Sequence, residues 1–586
     1  MDNLHLLQEN GRAHFVDVLG GIFEHSPWVA AAAWDARPFS TVDALHAAMV
    51  AAVEAASAEA QLALICAHPA LAGKEAISGD LTQASQREQA SAGLKHCTGD
   101  ELARLSTLNK TYREKFGFPF VMAVKHRVKQ DIFDALAGRL ANPRDQEFAS
   151  CLNEIGKIGR LRLHALLRPL SAERIWERCE ALAACSETST GLTRVYLSKE
   201  QQAVNTLVRG WMEDAGMDVH LDAIGNIVGR YEGATPGLPC LMLGSHLDTV
   251  RDAGKYDGML GVVAAIECVQ ALNVSGKRLA VAIEVIGFAD EEGVRFSATL
   301  LGSRAVAGTF DRAQLMKLDR DGVSMQDALR QCGLNPANIV SAARRGEDIA
   351  AYVELHIEQG PVLEAEGLAV GVVTAISGAD RFMVEVIGVA GHAGTVPMNL
   401  RRDALAAAAE CVLAIEALAA NTPDLVATVG QLETLPGATN VIPGRVRFTI
   451  DTRSPRDDVR ATATGSILKG IKQICAQRQV AASVTPTHQG QTAACAPWLM
   501  RQMGAAIATE GMAVRELPSG AGHDGMAMIA LTDIAMLFVR CKGGISHNPA
   551  ESISLADIDV STRIFLRFIE NFVPKEISHS PMRFPI

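Results

Sequence analysis

The chain contains no Cys-x-x-Cys pair; its 12 cysteines are scattered without regular spacing. That excludes a disulfide framework and cysteine-ligated zinc, and it fits reduced thiols in a cytoplasmic enzyme. There is no apolar run long enough to span a bilayer. Met1 to Asn10 lacks a basic flank followed by an apolar core, so no secretory signal is expected. Positive charge is not in excess: the net charge of -11 argues against nucleic acid or an anionic membrane as partner. Low-complexity tracts and internal repeats are missing too. What is present is the composition of a soluble globular protein, 48% hydrophobic and 21% charged, over 586 residues. One core cannot serve that length, so two or three domains are expected.

The texture changes along the chain. Residues 1–168 read as all-helical: alanine, leucine and glutamine dominate, and apolar residues recur at helical spacing in 45–53, 88–94 and 148–167. A boundary is expected near Arg168-Pro169-Leu170-Ser171. Beyond about Leu221, short β-like runs (279–288, 382–389, 446–450, 534–539) alternate with alanine-rich helices, which is α/β patterning. Within it, 378–486 reads as a separate α+β unit without acid clusters, inserted between 172–377 and 487–576.

The chemistry concentrates after an apolar strand, 239–245. It ends in His246 and Asp248, two apart and therefore on one face. Asp257 starts an apolar helical run, Glu291 and Glu292 are adjacent, and His356 and His547 follow. The set His246, Asp257, Glu292, His356 and His547 offers five N/O ligands, the inventory for two divalent cations bridged by one carboxylate. Asp257, lying between the others in sequence, is the natural bridge, and Asp248 is placed to orient His246. Adjacent Glu291 and Glu292 point in different directions, so one can ligate while the other takes a proton from water. Glu358 and Asp524 fit helix or turn caps, and His523 fits a pocket or a turn equally well.

The motifs HLDT (246–249), DGMLG (257–261), DEEGVRF (290–296), HIEQGPVLE (356–364), GHAGTVPM (391–398), ATNVIP (438–443), DTRSP (451–455) and SHNPAE (546–551) occur in this order. In this they resemble the dinuclear-metal amidohydrolases related to aminoacylase, above all the branch holding allantoate amidohydrolase and N-carbamoyl-amino-acid hydrolases. The resemblance covers roughly 172–576. It implies an α/β catalytic domain interrupted by a lid that also forms a homodimer. The metals it allows are manganese or zinc, with cobalt or nickel possible. It maps the five ligands onto the residues named and the general base onto Glu291. It also assigns Gln359, His392, Asn440 and Arg453 to substrate: Arg453 as a carboxylate clamp, and His392 as an oxyanion donor reaching the partner subunit's site.

In the N-terminal half, HPALAGK (68–74), SQREQASAGL (85–94), KFGFPFV (115–121) and IGRLRL (158–163) resemble 2-oxo-4-hydroxy-4-carboxy-5-ureidoimidazoline (OHCU) decarboxylase, an all-helical enzyme of urate breakdown. The resemblance assigns His68 and Glu88 to catalysis and Arg162 to substrate, with Arg160 two positions away as the rival. No cofactor is expected there, because the substrate's ring carbonyl can delocalise the carbanion left by CO2. The two resemblances together imply a cytoplasmic, bifunctional enzyme of ureide breakdown, making (S)-allantoin and hydrolysing allantoate to ureidoglycine, ammonia and CO2. The alternatives are a carbamoyl-amino-acid or ureidoglycolate hydrolase in the second half, or a non-catalytic oligomerisation module in the first.

Overall fold

The computed structural model describes residues 3–69, 98–124, 129–167 and 170–575. The chain divides into two compact units. One is Met1–Ser171 with Gly210–Met217 and Val269–Arg278; the other is the remainder. Glu88 and the run 88–94 lie outside the described residues.

Up to residue 167 the described residues form helices and no strand: Asn3–Glu9, Gly11–Leu19, Pro27–Ala33, Val42–Glu54, Ala58–Ala67, Gly99–Phe116, Lys129–Arg139 and Arg144–Leu167, with a short 3-10 turn at Trp34–Ala36. Local chemistry sets their ends. Thr98 and Glu101 form a reciprocal capping box, and Thr41 and Ser57 cap their helices. The FGFPFV segment supplies Phe116, Phe118 and Phe120, which with Tyr112 form a buried aromatic cluster in this core.

Among its described residues the second unit holds sixteen strands: β1 (Asp218–Leu221), β2 (Ile227–Tyr231), β3 (Cys240–His246), β4 (Ala282–Phe288), β5 (Ile349–Ile357), β6 (Val370–Ile376), β7 (Gly378–Ile387), β8 (Gly391–His392), β9 (Val426–Thr428), β10 (Leu432–Leu435), β11 (Val441–Ile442), β12 (Arg445–Ser454), β13 (Ala481–Gly490), β14 (Ala493–Ala494), β15 (Glu516–Ser519) and β16 (Ile534–Val539). The larger sheet runs β1-β2-β4-β3-β5-β16-β6-β14, with β15 beside β6. Its centre, β4-β3-β5-β16, is parallel. β3, β4 and β16 are buried along their whole length, which is why they read as continuous apolar runs. Because these four strands run the same way, HLDT, DEE, HIEQ and the loop to SHNP all emerge at one edge, where open α/β sheets place ligands.

The smaller sheet is antiparallel, β10-β12-β7-β13 with β9 beside β12. β12 alternates buried Val446, Phe448 and Ile450 with more exposed neighbours, the period of a sheet covered on one face. Helices Ala404–Ala420 and Asp457–Gln477 cover it, closing a core around Phe382, Val384 and Cys411. β8 and β11 form a separate two-stranded ladder. Among the described residues no single helix is long and apolar enough to cross a membrane.

Candidate functional site

Asp257 is the centre of the site. One carboxylate oxygen lies 3.4 Å from His246 Nε2 and 3.1 Å from His356 Nε2. The other lies 3.2 Å from His547 Nε2, which is also 3.5 Å from Glu292. His246, Asp257 and His356 thus form one trio, and Asp257, Glu292 and His547 another. In each, one donor atom per residue lies within 4.8 Å of the others. His246 closes β3 and His356 lies in β5, while Asp257 stands two residues before the helix Met259–Val274. Gly258, at φ +73°, makes that approach possible: a Cβ there would fall 2.5 Å from the His246 ring.

The histidine tautomers follow from their neighbours. His246 Nδ1 donates to the Asp248 carbonyl at 3.0 Å, and His356 Nδ1 to the Ile357 carbonyl at 2.8 Å. A carbonyl can only accept, so Nδ1 carries the proton and Nε2 presents its lone pair toward Asp257. Lone pairs aimed at a carboxylate repel it unless a proton or a cation intervenes. Protonation is the first remedy: burial works against charged His246, yet Asp248 and Asp257 hold its pKa well above the ordinary range. Burial opposes ionisation of Asp257 too, but His246, His356 and His547 hold its pKa well below the carboxylate range. Glu291 is pushed well above that range by burial and by Glu292, Asp524 and Asp248, against the pull of His246. Burial, with Asp257 and Asp248, takes Glu292 up to about 7. Nitrogen lone pairs and crowded buried carboxylates form a donor set that fits divalent cations.

Asp248 meets both the His246 ring and the paired acids. The His246 ring bonds its main-chain carbonyl, and the carboxylate stands 3.6 Å off. The carboxylate instead accepts the main-chain N–H groups of Glu291 at 2.9 Å and Glu292 at 3.1 Å, fixing the paired acids. Gln359 donates to Asp257 at 2.7 Å. Arg453 lines the same cavity of about 680 Å³, but Asp451 already takes its Nε and one Nη at 2.9 Å, and Gly520 O takes the other Nη at 2.7 Å. His392 and Asn440 are exposed and lie together on the β8–β11 ladder; neither is among the residues lining that cavity. Glu358 caps the turn Val362–Ala365 through two N–H groups. His523 is buried against the His356 ring, 4.5 Å between centroids, and bonds Ser519 Oγ at 2.7 Å. Asp524 is buried at the start of a short helix without capping it.

Three supports escaped the sequence reading. Glu551 accepts the N–H groups of Tyr256 at 2.7 Å and Asp257 at 3.1 Å, and it bonds Ser546, whose hydroxyl also reaches Asp257 at 2.7 Å. Arg194, fully buried, donates to the carbonyl of Leu247 between His246 and Asp248; burial pushes its pKa down to about 10. Leu300, Gln359 and His547 hold positive φ (61°, 56° and 53°) and all line the cavity. Left-handed backbone at a residue other than glycine costs about 1–3 kcal/mol and gathers at functional sites. The SHNPAE motif did carry Ser546 and Glu551, but nothing local marked their partners.

In the helical unit, His68 follows the helix Ala58–Ala67, is buried, and donates from Nδ1 to Leu64 O at 3.0 Å. That helix packs on Arg144–Leu167, which carries Arg162. Arg162 is buried and bonds Glu24 at 2.7 Å and Ile22 O at 3.3 Å. Arg160 is exposed and pairs with Asp43.

Residues 8–164 match OHCU decarboxylase, and residues 242–571 match peptidase family M20/M25/M40. Allantoate deiminase of Arabidopsis thaliana is 40% identical over 438 residues, covering 70% of this chain and 83% of that protein. N-carbamoyl-L-amino acid amidohydrolase of Geobacillus stearothermophilus is 40% identical over 396 residues, covering 67% and 97%. The crystal structure of a hydantoinase/carbamoylase family amidase from Burkholderia multivorans superposes with a TM-score of 0.65 at 31% identity, over 68% of this chain and 97% of that one. The chain therefore belongs to peptidase family M20/M25/M40 and carries an OHCU decarboxylase domain on its N-terminal side.

Proposed function

We propose that this bifunctional enzyme decarboxylates OHCU to (S)-allantoin in its helical unit and hydrolyses allantoate to ureidoglycine, ammonia and CO2 in its α/β unit. The observation that carries the second activity is the division of Asp257 between two ligand trios. His246 and His356 would hold one divalent ion, Glu292 and His547 the other, with Asp257 between them. Manganese or zinc suits these donors, and cobalt or nickel also fits. The chemistry such a pair supplies when bound is polarisation of the scissile carbonyl and a water acidic near neutral pH.

The protein's own groups do the rest. Glu291, crowded by carboxylates and held by Asp248 through its main chain, takes the proton from water and returns it to the departing nitrogen. Gln359 steadies Asp257, and Arg453 lies where it can meet a substrate carboxylate. The inserted unit, 378–486, is read as a lid through which two copies pair. Exposed His392 and Asn440 then serve the partner's site, and the neighbouring exposed Val389, Met398 and Leu400 supply apolar contact. A cytoplasmic location belongs to the same reading.

In the helical unit, Arg162 is the anion-binding candidate, since it is buried and braced by Glu24 whereas Arg160 sits on the surface. His68, oriented by its Nδ1–H bond to Leu64 O, would act as the imidazolium that gives a proton to one face of the carbanion, with Glu88 as its assigned helper.

The two relatives above are equally identical to this chain, so substrate choice is the decisive test. The full chain with manganese should show its highest kcat/KM on allantoate among allantoate, ureidoglycolate and N-carbamoyl-β-alanine. A highest value on N-carbamoyl-β-alanine would replace this reading with a carbamoylase.

A further inference from the structure

His523 lies behind the metal ligands and has no task in the chemistry described above. It is 1% exposed, and its ring meets the His356 ring edge-on, 4.5 Å between centroids and 66° between planes. Phe538, which stands beside His356 in the neighbouring strand β16, closes another side at 5.9 Å. A buried histidine usually fills such a space with its polar atoms satisfied and does no more. Here the polar partner is informative: His523 Nε2 bonds Ser519 Oγ at 2.7 Å.

Ser519 closes β15, and the turn after it, Gly520 to Gly522, lines the space around Arg453. The Ser519 hydroxyl holds that turn together by bonding both the carbonyl and the N–H of Ala521 at 3.1 Å. Gly520 O, inside the turn, accepts Arg453 Nη1 at 2.7 Å. The Ser519 carbonyl accepts Ser377 N–H at 2.9 Å. Ser377 leads directly into β7, whose Ala379 is the register partner of Arg453 in β12. The turn therefore holds Arg453 at two places, through its guanidinium and through the main chain beside its strand.

We propose that His523 is a positioning residue that links the metal ligand His356 to the carboxylate-binding Arg453 through the Ser519–Gly522 turn. This assignment rests on the hydrolase reading above, in which Arg453 meets the substrate's carboxylate. The imidazole edge backs the His356 ring, and the bond to Ser519 fixes the carbonyl on which Arg453 rests. A guanidinium already seated meets a carboxylate without first being ordered, so loss of the seat falls on substrate binding.

The two contacts of His523 can be separated on the full chain with manganese. His523→Phe keeps a ring against His356 but cannot bond Ser519, and Ser519→Ala removes the same bond from the other side. Each should raise KM for allantoate about 3- to 10-fold, more than it lowers kcat. Manganese affinity, read as metal content against buffered free metal, should stay at the parental value in both. His523→Ala, which removes the ring as well, should also weaken manganese binding about 10-fold. Combined with Arg453→Ala, His523→Phe should add nothing further to KM, because its effect travels through that guanidinium. A parental KM in both His523→Phe and Ser519→Ala overturns the link, as does a KM rise that persists undiminished beside Arg453→Ala. Preference of the parent chain for N-carbamoyl-β-alanine would remove the allantoate reading alone; that substrate also carries a carboxylate, and the same set of variants measured on it decides His523 separately.

Discussion

Glu551 shows how much of the site depends on residues that touch no substrate. It is buried, and its carboxylate joins the Tyr256–Asp257 main chain to the Ser546 hydroxyl, tying Asp257 to the loop that carries His547. Partners of this kind, one step behind a ligand, set its orientation. Glu551→Ala should weaken manganese binding by about 10- to 100-fold, and Glu551→Gln, which keeps a carbonyl acceptor, by less. Metal content per chain after equilibration against buffered free manganese measures this; an Ala variant with parental affinity would make Glu551 a packing residue only. The same residue marks the limit of the sequence reading. Five N/O donors could be named as candidates because ligands of this kind are His, Asp or Glu, and the structure brings them together in overlapping groups. Glu551 lies 295 positions from the N–H it accepts, and no local pattern says which amide a distant acid will meet. The second contact of Asp248 was illegible for the same reason: spacing brings it beside His246, while only the fold of β4 brings the Glu291 and Glu292 amides onto its carboxylate.

At the level of elements, legibility followed burial. β16 carries six consecutive buried apolar residues and could be read from sequence to its ends, and β3 and β4 nearly so. β13 is exposed and polar over most of its length, and β1 is short and exposed; neither has a period to read. Close approach between elements was also invisible, because it depends on what faces a residue and not on its neighbours in sequence. Gly302 is the test case. Gly302→Ala sets a methyl against the Asn226 side chain and the Ala289 amide, two groups that also bond each other at 2.9 Å. Overpacking of this kind should destabilise the α/β unit by about 1–3 kcal/mol. Denaturant unfolding followed by near-UV signal reads that change, and a midpoint equal to the parent's would mean that the helix Leu301–Val306 can move away from β4 at no cost.

For the molecule as a whole, two chemistries with different needs share one chain. The helical unit is read as using His68 and Arg162 on a substrate that stabilises its own carbanion, and nothing in that chemistry calls for a metal. The α/β unit concentrates carboxylates and histidine lone pairs whose mutual repulsion a cation relieves. Chelation should therefore separate them. On the intact chain, exhaustive treatment with a divalent-metal chelator should lower allantoate hydrolysis by at least about two orders of magnitude, restored by added manganese. The same sample should keep its rate of forming optically pure allantoin from freshly generated OHCU. His68→Ala should give the mirror image, losing decarboxylation and keeping hydrolysis. Parallel loss of both activities on chelation would mean that the helical chemistry also depends on bound metal. Decarboxylation unaffected by His68→Ala would remove His68 from the reaction. Independent responses would mean that the two sites share a chain without sharing chemistry.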